Sequence, residues 1–233
     1  SVLAAGFRVV AQLAASLDSA GVNFPAPRHG VDARSWSELA EWCTRRARRV
    51  AAAITTRLWR DSRFISLAPS VVRAGSDGDA SLEQPLELLS PTIQGVFPLL
   101  LGADLPPEVA DKLMDQLEDP AVLASARLRG GVPTTARSDA LAYDPCDSSL
   151  MWRGPSWPPT DWIVVEGLEA QATLSLDATT RARAARLKLS ILQRALSLQL
   201  HEGFSEYYHP DTGAALGQRA LGMSTALISK YCR

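Results

Sequence analysis

Lysine is nearly absent from this 233-residue chain: Lys112, Lys188 and Lys230 are all it has, and arginine carries almost the whole positive charge. Formal net charge is -1 with 21% charged residues, so no global field argues for nucleic acid or an acidic membrane surface as a partner. Cysteine is equally sparse. Cys43, Cys146 and Cys232 are odd in number, far apart and outside metal-ligand spacing, which speaks against a disulfide framework or a zinc site and for a reducing, cytoplasmic compartment. No window reads as the roughly 18 to 20 apolar residues of a membrane span, and the N-terminus lacks the basic flank and apolar core of a signal peptide. A soluble protein is the expectation.

What is present is helical periodicity. Leu3, Phe7, Val10, Leu13 and Leu17 recur at helical spacing up to Gly21, and this apolar stripe already surrounds the first residue, Ser1, so an upstream extension is expected. A second, long helix is predicted from Ser35 to about Trp59, opened by a capping box of Ser35 and Glu38. It contains the one basic run, Arg45-Arg46-Ala47-Arg48-Arg49, whose setting indicates a solvated helix face in preference to a phosphate site. Residues 63–72 suggest a short strand or hairpin arm, with Gly75 to Gly78 as a turn. Further helices are predicted near 91–101, 107–117, 158–173, 178–200 and 221–231, with Gly102 separating two of them. Strand signals are few, so the fold class is all-α, built from antiparallel helix pairs, and residues 1–233 are expected to form a single domain.

Between Leu128 and Ser156 the periodicity disappears, and Gly, Pro, Asp and Ser dominate a loop of the length that carries function. It leads into Trp152-Arg153-Gly154-Pro155-Ser156-Trp157-Pro158-Pro159-Thr160-Asp161-Trp162, where three of the six tryptophans meet an arginine and three prolines. Aromatic faces offer the C–H side of a sugar ring an apolar platform, and Arg supplies hydrogen bonds to hydroxyls. The second unusual segment, Gly203-Phe204-Ser205-Glu206-Tyr207-Tyr208-His209-Pro210-Asp211-Thr212-Gly213, is expected to be an aromatic turn that sets one carboxylate among rings. Such a carboxylate suits general-base work on water. The residues alone leave a second reading open, in which Trp157 and Trp162 anchor the next helix and Glu206 only caps a turn.

Asp211-Thr212-Gly213 spells the aspartic-protease tripeptide but lacks the flanking apolar strand and a second copy, so it reads as a turn. His201 and His209 have no acidic or cysteine partner at ligand spacing, and neither metal nor cofactor is expected.

In this order the two segments resemble the C-terminal motifs of glycoside hydrolase family 63 and its mannosylglycerate and glucosylglycerate hydrolase relatives. The pattern there runs Tyr-Trp-Arg-Gly-Pro-x-Trp, then Glu-Tyr-Tyr/Phe-x-Pro-x-Thr-Gly. A weaker similarity links them to the trehalases of family 37. The likeness takes in Ser90-Pro91 with Phe97 to Leu101, Gly131 to Thr134 and Tyr143 to Pro145; it covers residues 85–233 well and the preceding part only as helices of the right kind.

The resemblance implies the C-terminal half of an (α/α)6 barrel, a helical-hairpin toroid, and hydrolysis of α-linked glucosyl or mannosyl conjugates with inversion. It implies Glu206 as general base, Trp152 and Trp157 as pocket walls, Arg153 as a buttress or sugar contact, and Tyr207 and Tyr208 as aromatics beside the base. Inversion needs a second carboxyl roughly 6.5 to 9.5 Å away, with room for water between. The family's acid lies in an upstream Asp-Asn-Ser-Pro-Arg-Trp-Asp-like segment, and nothing similar stands here. Asp144 and Asp161 are the substitutes nearest in sequence, although Asp161 in a first helical turn also suits the helix dipole. The expected partners are therefore a small sugar or glycoside and the missing N-terminal half of the barrel or another chain; the alternative is a catalytically incomplete carbohydrate-binding or interaction module. Met151 in place of Tyr, and Leu221-Gly222-Met223-Ser224 in place of Phe-Ser-Trp-Thr, are departures from the family pattern.

Overall fold

The predicted N-cap of Ser35 forms, and with it the second helix, but Glu38 returns its bond to the residue before the cap and the full capping box does not close. In the computed structural model, which describes residues 2–25, 33–68, 86–88, 91–124, 130–146, 152–220 and 222–225, Ser35 Oγ accepts the Glu38 N–H at 3.1 Å. Glu38 Oε2 reaches back to the Arg34 N–H at 2.6 Å. The first bond satisfies one of the donors that a helix start leaves without partners, and the second ties the residue before the cap to the first turn. The helices are α1 (Val2–Ser19), α2 (Trp36–Leu58), α3 (Pro107–Glu118), α4 (Pro158–Leu174) and α5 (Ala178–Glu202). Asp177 starts α5 by accepting the Thr180 N–H at 2.7 Å, and with the Thr179 hydroxyl this holds its carboxyl down at about 2. Three antiparallel strand pairs complete the order: β1 (Trp59–Arg60) with β2 (Arg63–Phe64), β3 (Ser66–Ala68) with β4 (Leu86–Leu88), and β5 (Ser205–Tyr208) with β6 (Ala215–Arg219). The turn expected at Gly75 to Gly78 lies outside the described residues; of the helix expected over 221–231 only Gly222–Thr225 is described, and it is 3-10 helix.

The residues group into two compact units, each assembled from three separate stretches of chain. One comprises residues 1–57, 97–111 and 163–189. In it α1 buries Ala4, Ala11 and Ala14, while Leu3, Val10 and Leu13 are 61%, 43% and 58% exposed. Of the predicted apolar stripe, Phe7 and Leu17 are half-buried and the other three face outward. Alanine lets a helix approach its neighbour closely, and the bulkier row is left facing outward. By length and composition α1 is also long and apolar enough to cross a membrane, contrary to the expectation that no window reads as a span. Its own contacts are those of a packed helix: Phe7 meets Trp42 edge-on at 5.7 Å, and Arg8 bonds Leu100 O at 3.0 Å and the Asp104 carboxylate. The basic run of α2 is solvated, with Arg45 paired to Glu41 at 3.3 Å and Arg46 over the Trp42 ring.

The segment Ile93–Asp104, predicted as α-helix up to Leu101, is 3-10 helix instead. Pro98 removes a donor, and Gly102 interrupts the run at φ 53. Fully buried Gln171 of α4 takes up the slack by donating to Leu99 O at 2.8 Å and Gly102 O at 3.3 Å.

The other unit comprises residues 58–96, 112–162 and 190–233 and holds both unusual segments. Its core includes Phe64, Ile93, Met114, Leu117, Ile191 and Tyr208. The described part of the long loop is tied down by backbone bonds: Ile93 N–H to Thr134 O at 3.0 Å, Ala136 N–H to Pro91 O at 2.9 Å, and Thr134 N–H to Pro155 O at 3.2 Å.

Candidate active site

The segment Gly203 to Gly213 is more than an aromatic turn: Ser205–Tyr208 is a strand, and Ala215–Arg219 folds back to pair with it. Ser205 faces Arg219, but Tyr207 faces Leu216, so Gly217 and Gln218 together oppose Glu206. That is a β-bulge with glycine at φ 68 in its first position. Its consequences converge on the carboxylate. Gln218 donates its N–H to Glu206 Oε2 at 3.0 Å, and a Cβ at Gly217 would stand 2.8 Å from Glu206 Oε2 and 2.5 Å from Tyr207 Cε1. Only a residue without a side chain fits there. The Glu206 carboxylate and the Tyr207 ring thus flank one point on β6.

Tyr207 continues into an aromatic stack. Its ring lies 4.9 Å from that of Trp157 at 25°, and Trp157 in turn lies 4.2 Å from Trp152 at 7°. Trp157 is 4% exposed and Tyr207 5%, whereas Trp152, the outermost ring, is 52% exposed. Trp152 therefore offers the platform's free face, and the two rings beneath keep it flat. The alternative of two core anchors divides: Trp157 is buried, but Trp162 is 37% exposed.

Arg153 turns to the loop. Nε donates to Ala142 O at 2.9 Å and Nη2 to Leu141 O, so of the two expected roles its geometry is that of a buttress. Tyr208 is fully buried; its hydroxyl donates to Gly203 O and accepts the Ser205 N–H at 3.0 Å. It presents no surface to a ligand and shapes the hairpin instead. Burial pushes its phenol up from the usual range.

The described motif and loop are joined through Ser156 and Asp161. Ser156 exchanges two backbone bonds with Tyr208, each at 2.9 Å, which ties the Trp segment to the hairpin. Its hydroxyl donates to Asp161 Oδ2 at 2.9 Å, and Asp161 Oδ1 accepts the Val132 N–H at 2.9 Å. Asp161 is 2% exposed, and burial pushes its carboxyl up to about 7 against the pull of Ser156, Val132 and the Arg194 cation. Sequence reasoning placed Asp161 at a helix start but had no signal for its link to Val132. Asp144 is exposed and accepts the Cys146 N–H at 3.1 Å.

Asp211 sits in a turn, as read from the sequence, and receives Tyr143 OH at 3.2 Å together with Arg137. Neither Arg137 nor Tyr143 was singled out beforehand as its partner, since 74 and 68 residues separate them from it. Burial raises the Tyr143 phenol, and Arg137 opposes that rise. His209 Nδ1 accepts the Asp211 N–H at 3.1 Å, and His201 Nδ1 lies 2.7 Å from Ser197 O, so both rings serve local backbone.

Comparison with known proteins agrees with the geometry. Residues 32–224 match the model of the mannosylglycerate hydrolase MGH1-like glycoside hydrolase domain. A mannosylglycerate hydrolase of Thermus thermophilus is 42% identical over 82 residues, 35% of this chain and 17% of that protein. A mannosylglycerate hydrolase of Rubrobacter radiotolerans is 29% identical over 196 residues, 84% of this chain and 38% of that protein. The chain thus spans well under half the length of these relatives. Among solved structures, a family 63 mannosylglycerate hydrolase from Thermus thermophilus in complex with Tris superposes with a TM-score of 0.61 at 24% identity, over 99% of this chain and 44% of that one. This likeness shows the fold, the mainly helical one that the sequence implied. The chain belongs to the MGH1-like glycoside hydrolase family.

Proposed function

We propose that this chain carries the general-base side of an inverting glycoside hydrolase acting on α-linked glucosyl or mannosyl conjugates. One observation carries the reading: the Glu206 carboxylate lies beside Tyr207, the inner end of a three-ring stack whose outer face, Trp152, is open. Glu206, fixed by the Gln218 N–H, takes a proton from the attacking water, and the open face of Trp152, two ring spacings away, holds an adjoining part of the substrate by C–H contact. Arg153, Tyr208 and Ser156 act through the backbone they hold.

The general acid comes from a part of the protein outside this chain. The buried Asp161 does not reach a glycosidic oxygen, and exposed Asp144 belongs to the loop Arg153 braces. The remaining helices of the same barrel are the proposed partner of the outward row of α1, since the chain covers only 44% of the solved structure it superposes on. No metal or cofactor enters the reaction, and the proposed compartment is the cytoplasm.

Glu206→Gln in the full-length protein tests the assignment. Hydrolysis of mannosylglycerate or glucosylglycerate is abolished while sugar binding stays measurable, because the water loses its base but the walls remain. Wild-type turnover in that variant removes Glu206 from the mechanism. A second reading, a carbohydrate-binding module without catalysis, is favoured by the burial of Asp161; it requires that the unmutated full-length protein bind these sugars and hydrolyse none.

A further inference from the structure

We infer that Asp161 is a positioning residue for the aromatic platform, its buried carboxylate clamping the Val132 amide and the Ser156 hydroxyl so that loop, Trp segment and hairpin hold one geometry. Val132 N–H and Ser156 Oγ–H enter separate oxygens of the same carboxylate, both at 2.9 Å. Ser156 is bonded in both directions to Tyr208 and is followed directly by Trp157, the middle ring of the stack. The clamp is also tight: a Cβ at Gly131 would stand 1.9 Å from Ser156 Oγ and 2.3 Å from Asp161 Oδ2, so the loop backbone lies directly against the pair. A carboxylate sealed from water is costly unless hydrogen bonds and an opposite charge offset the loss of solvent, and here Val132, Ser156 and the Arg194 cation do so in part.

The groups facing it from the packed elements are the Arg194 cation of α5 and the Tyr208 phenol of β5. Arginine keeps its charge in proteins, and burial drives the Tyr208 phenol above its usual range, so Asp161 itself is the member that changes charge near neutrality. As a carboxylate it accepts from both donors. Once protonated it carries a hydroxyl of its own, and the Ser156 hydroxyl has to turn.

The inference rests on the sugar-platform reading for its functional meaning, but its test does not. Tryptophan fluorescence of the full-length protein is followed against pH without substrate, beside Asp161→Asn and Trp152→Phe. The wild type shows a step with a midpoint within about a unit of 7; the Asn variant, which can accept from Val132 and donate to Ser156 at every pH, shows none. Trp152→Phe changes the amplitude of the step, because one of the two stacked indoles is gone while Trp157 remains. A wild type without a step, or a step that persists unchanged in either variant, overturns the inference.

The second arm measures KM for mannosylglycerate. Asp161→Asn stays within about twofold of the wild type, and Asp161→Ala raises KM about tenfold, the loss expected when buried donors lose their acceptor. Equal KM in all three overturns the clamp as a determinant of binding. Should Asp161→Ala fail to fold, fluorescence of the Asn variant decides. Absence of hydrolysis in every form, with the fluorescence step intact, removes the glycosidase reading and leaves the clamp.

Discussion

The Trp157 ring lies on Tyr207, centroids 4.9 Å apart and planes 25° from parallel, and joins a loop-to-helix junction to a strand some 50 residues later, Tyr207 being next to the candidate base. Trp157→Ala removes the middle of the stack. The loss of a buried aromatic of this size is expected to destabilise the protein by about 3 to 5 kcal/mol. Trp157→Phe keeps a ring and most of the stability while raising KM for the sugar. A thermal melt and a kinetic assay separate the two effects, and an unchanged KM in Trp157→Phe would detach the buried ring from ligand binding.

Gly217 is held open by two neighbours as well as by its backbone. Gly217→Ala drives a methyl against Glu206 Oε2 and Tyr207, so the carboxylate is displaced. Misplacement of a reacting group by about 1 Å costs about 10²-fold in rate, and kcat is expected to fall on that scale with a smaller change in KM. Gly217→Asn tolerates the positive φ better but carries the same Cβ. Recovery of activity in the Asn variant would show that backbone conformation, and not space beside Glu206, demands glycine.

Asp161 makes stability depend on pH in a direction opposite to that of most carboxylates. Its folded value, about 7, lies above the ordinary 3.8, so between these pH values the native state keeps a proton that the unfolded chain has lost. Stability from this residue is full at low pH and falls as pH rises toward 7, by about 1.4 kcal/mol for each unit of difference. Asp161→Asn removes the dependence. The difference in Tm between variant and wild type is expected to shift in favour of the variant from pH 4 to 7 and then level off. A difference that does not change with pH contradicts this.

The outward row of Leu3, Val10 and Leu13 on α1 bears on assembly. Produced as these 233 residues alone, the chain is expected to associate with copies of itself or with other apolar surfaces. Size-exclusion chromatography reads this directly. A stable monomer whose elution is unaffected by Leu13→Glu would show that the row needs no cover.

Much of this protein was legible in its sequence because the signals are local. The N-cap of Ser35, the Pro-Pro starts of α3 and α4, and the apolar spacing of α5 each act within a few residues, and each helix formed where those signals stand. The order of the two motifs carried the family. Composition and spacing also marked Trp152, Trp157 and Glu206 as unusual before any geometry was known.

Tertiary structure decided the rest, because those outcomes depend on partners far apart in the chain. Which side of α1 is buried was decided in the tertiary structure, where Ala4, Ala11 and Ala14 face inward and Leu3, Val10 and Leu13 do not. The 3-10 path at Pro98 relies on Gln171, 72 residues away from Leu99. The aromatic turn became a bulged hairpin through pairing with residues 215–219, and that pairing aims Glu206. Asp161 looked like a helix-start acid; only the approach of Gly131 and Val132 sealed it from water and made it a clamp. Local patterns determined which residues would be helical or chemically unusual, and long-range contacts, which no short window of sequence encodes, determined what those residues face.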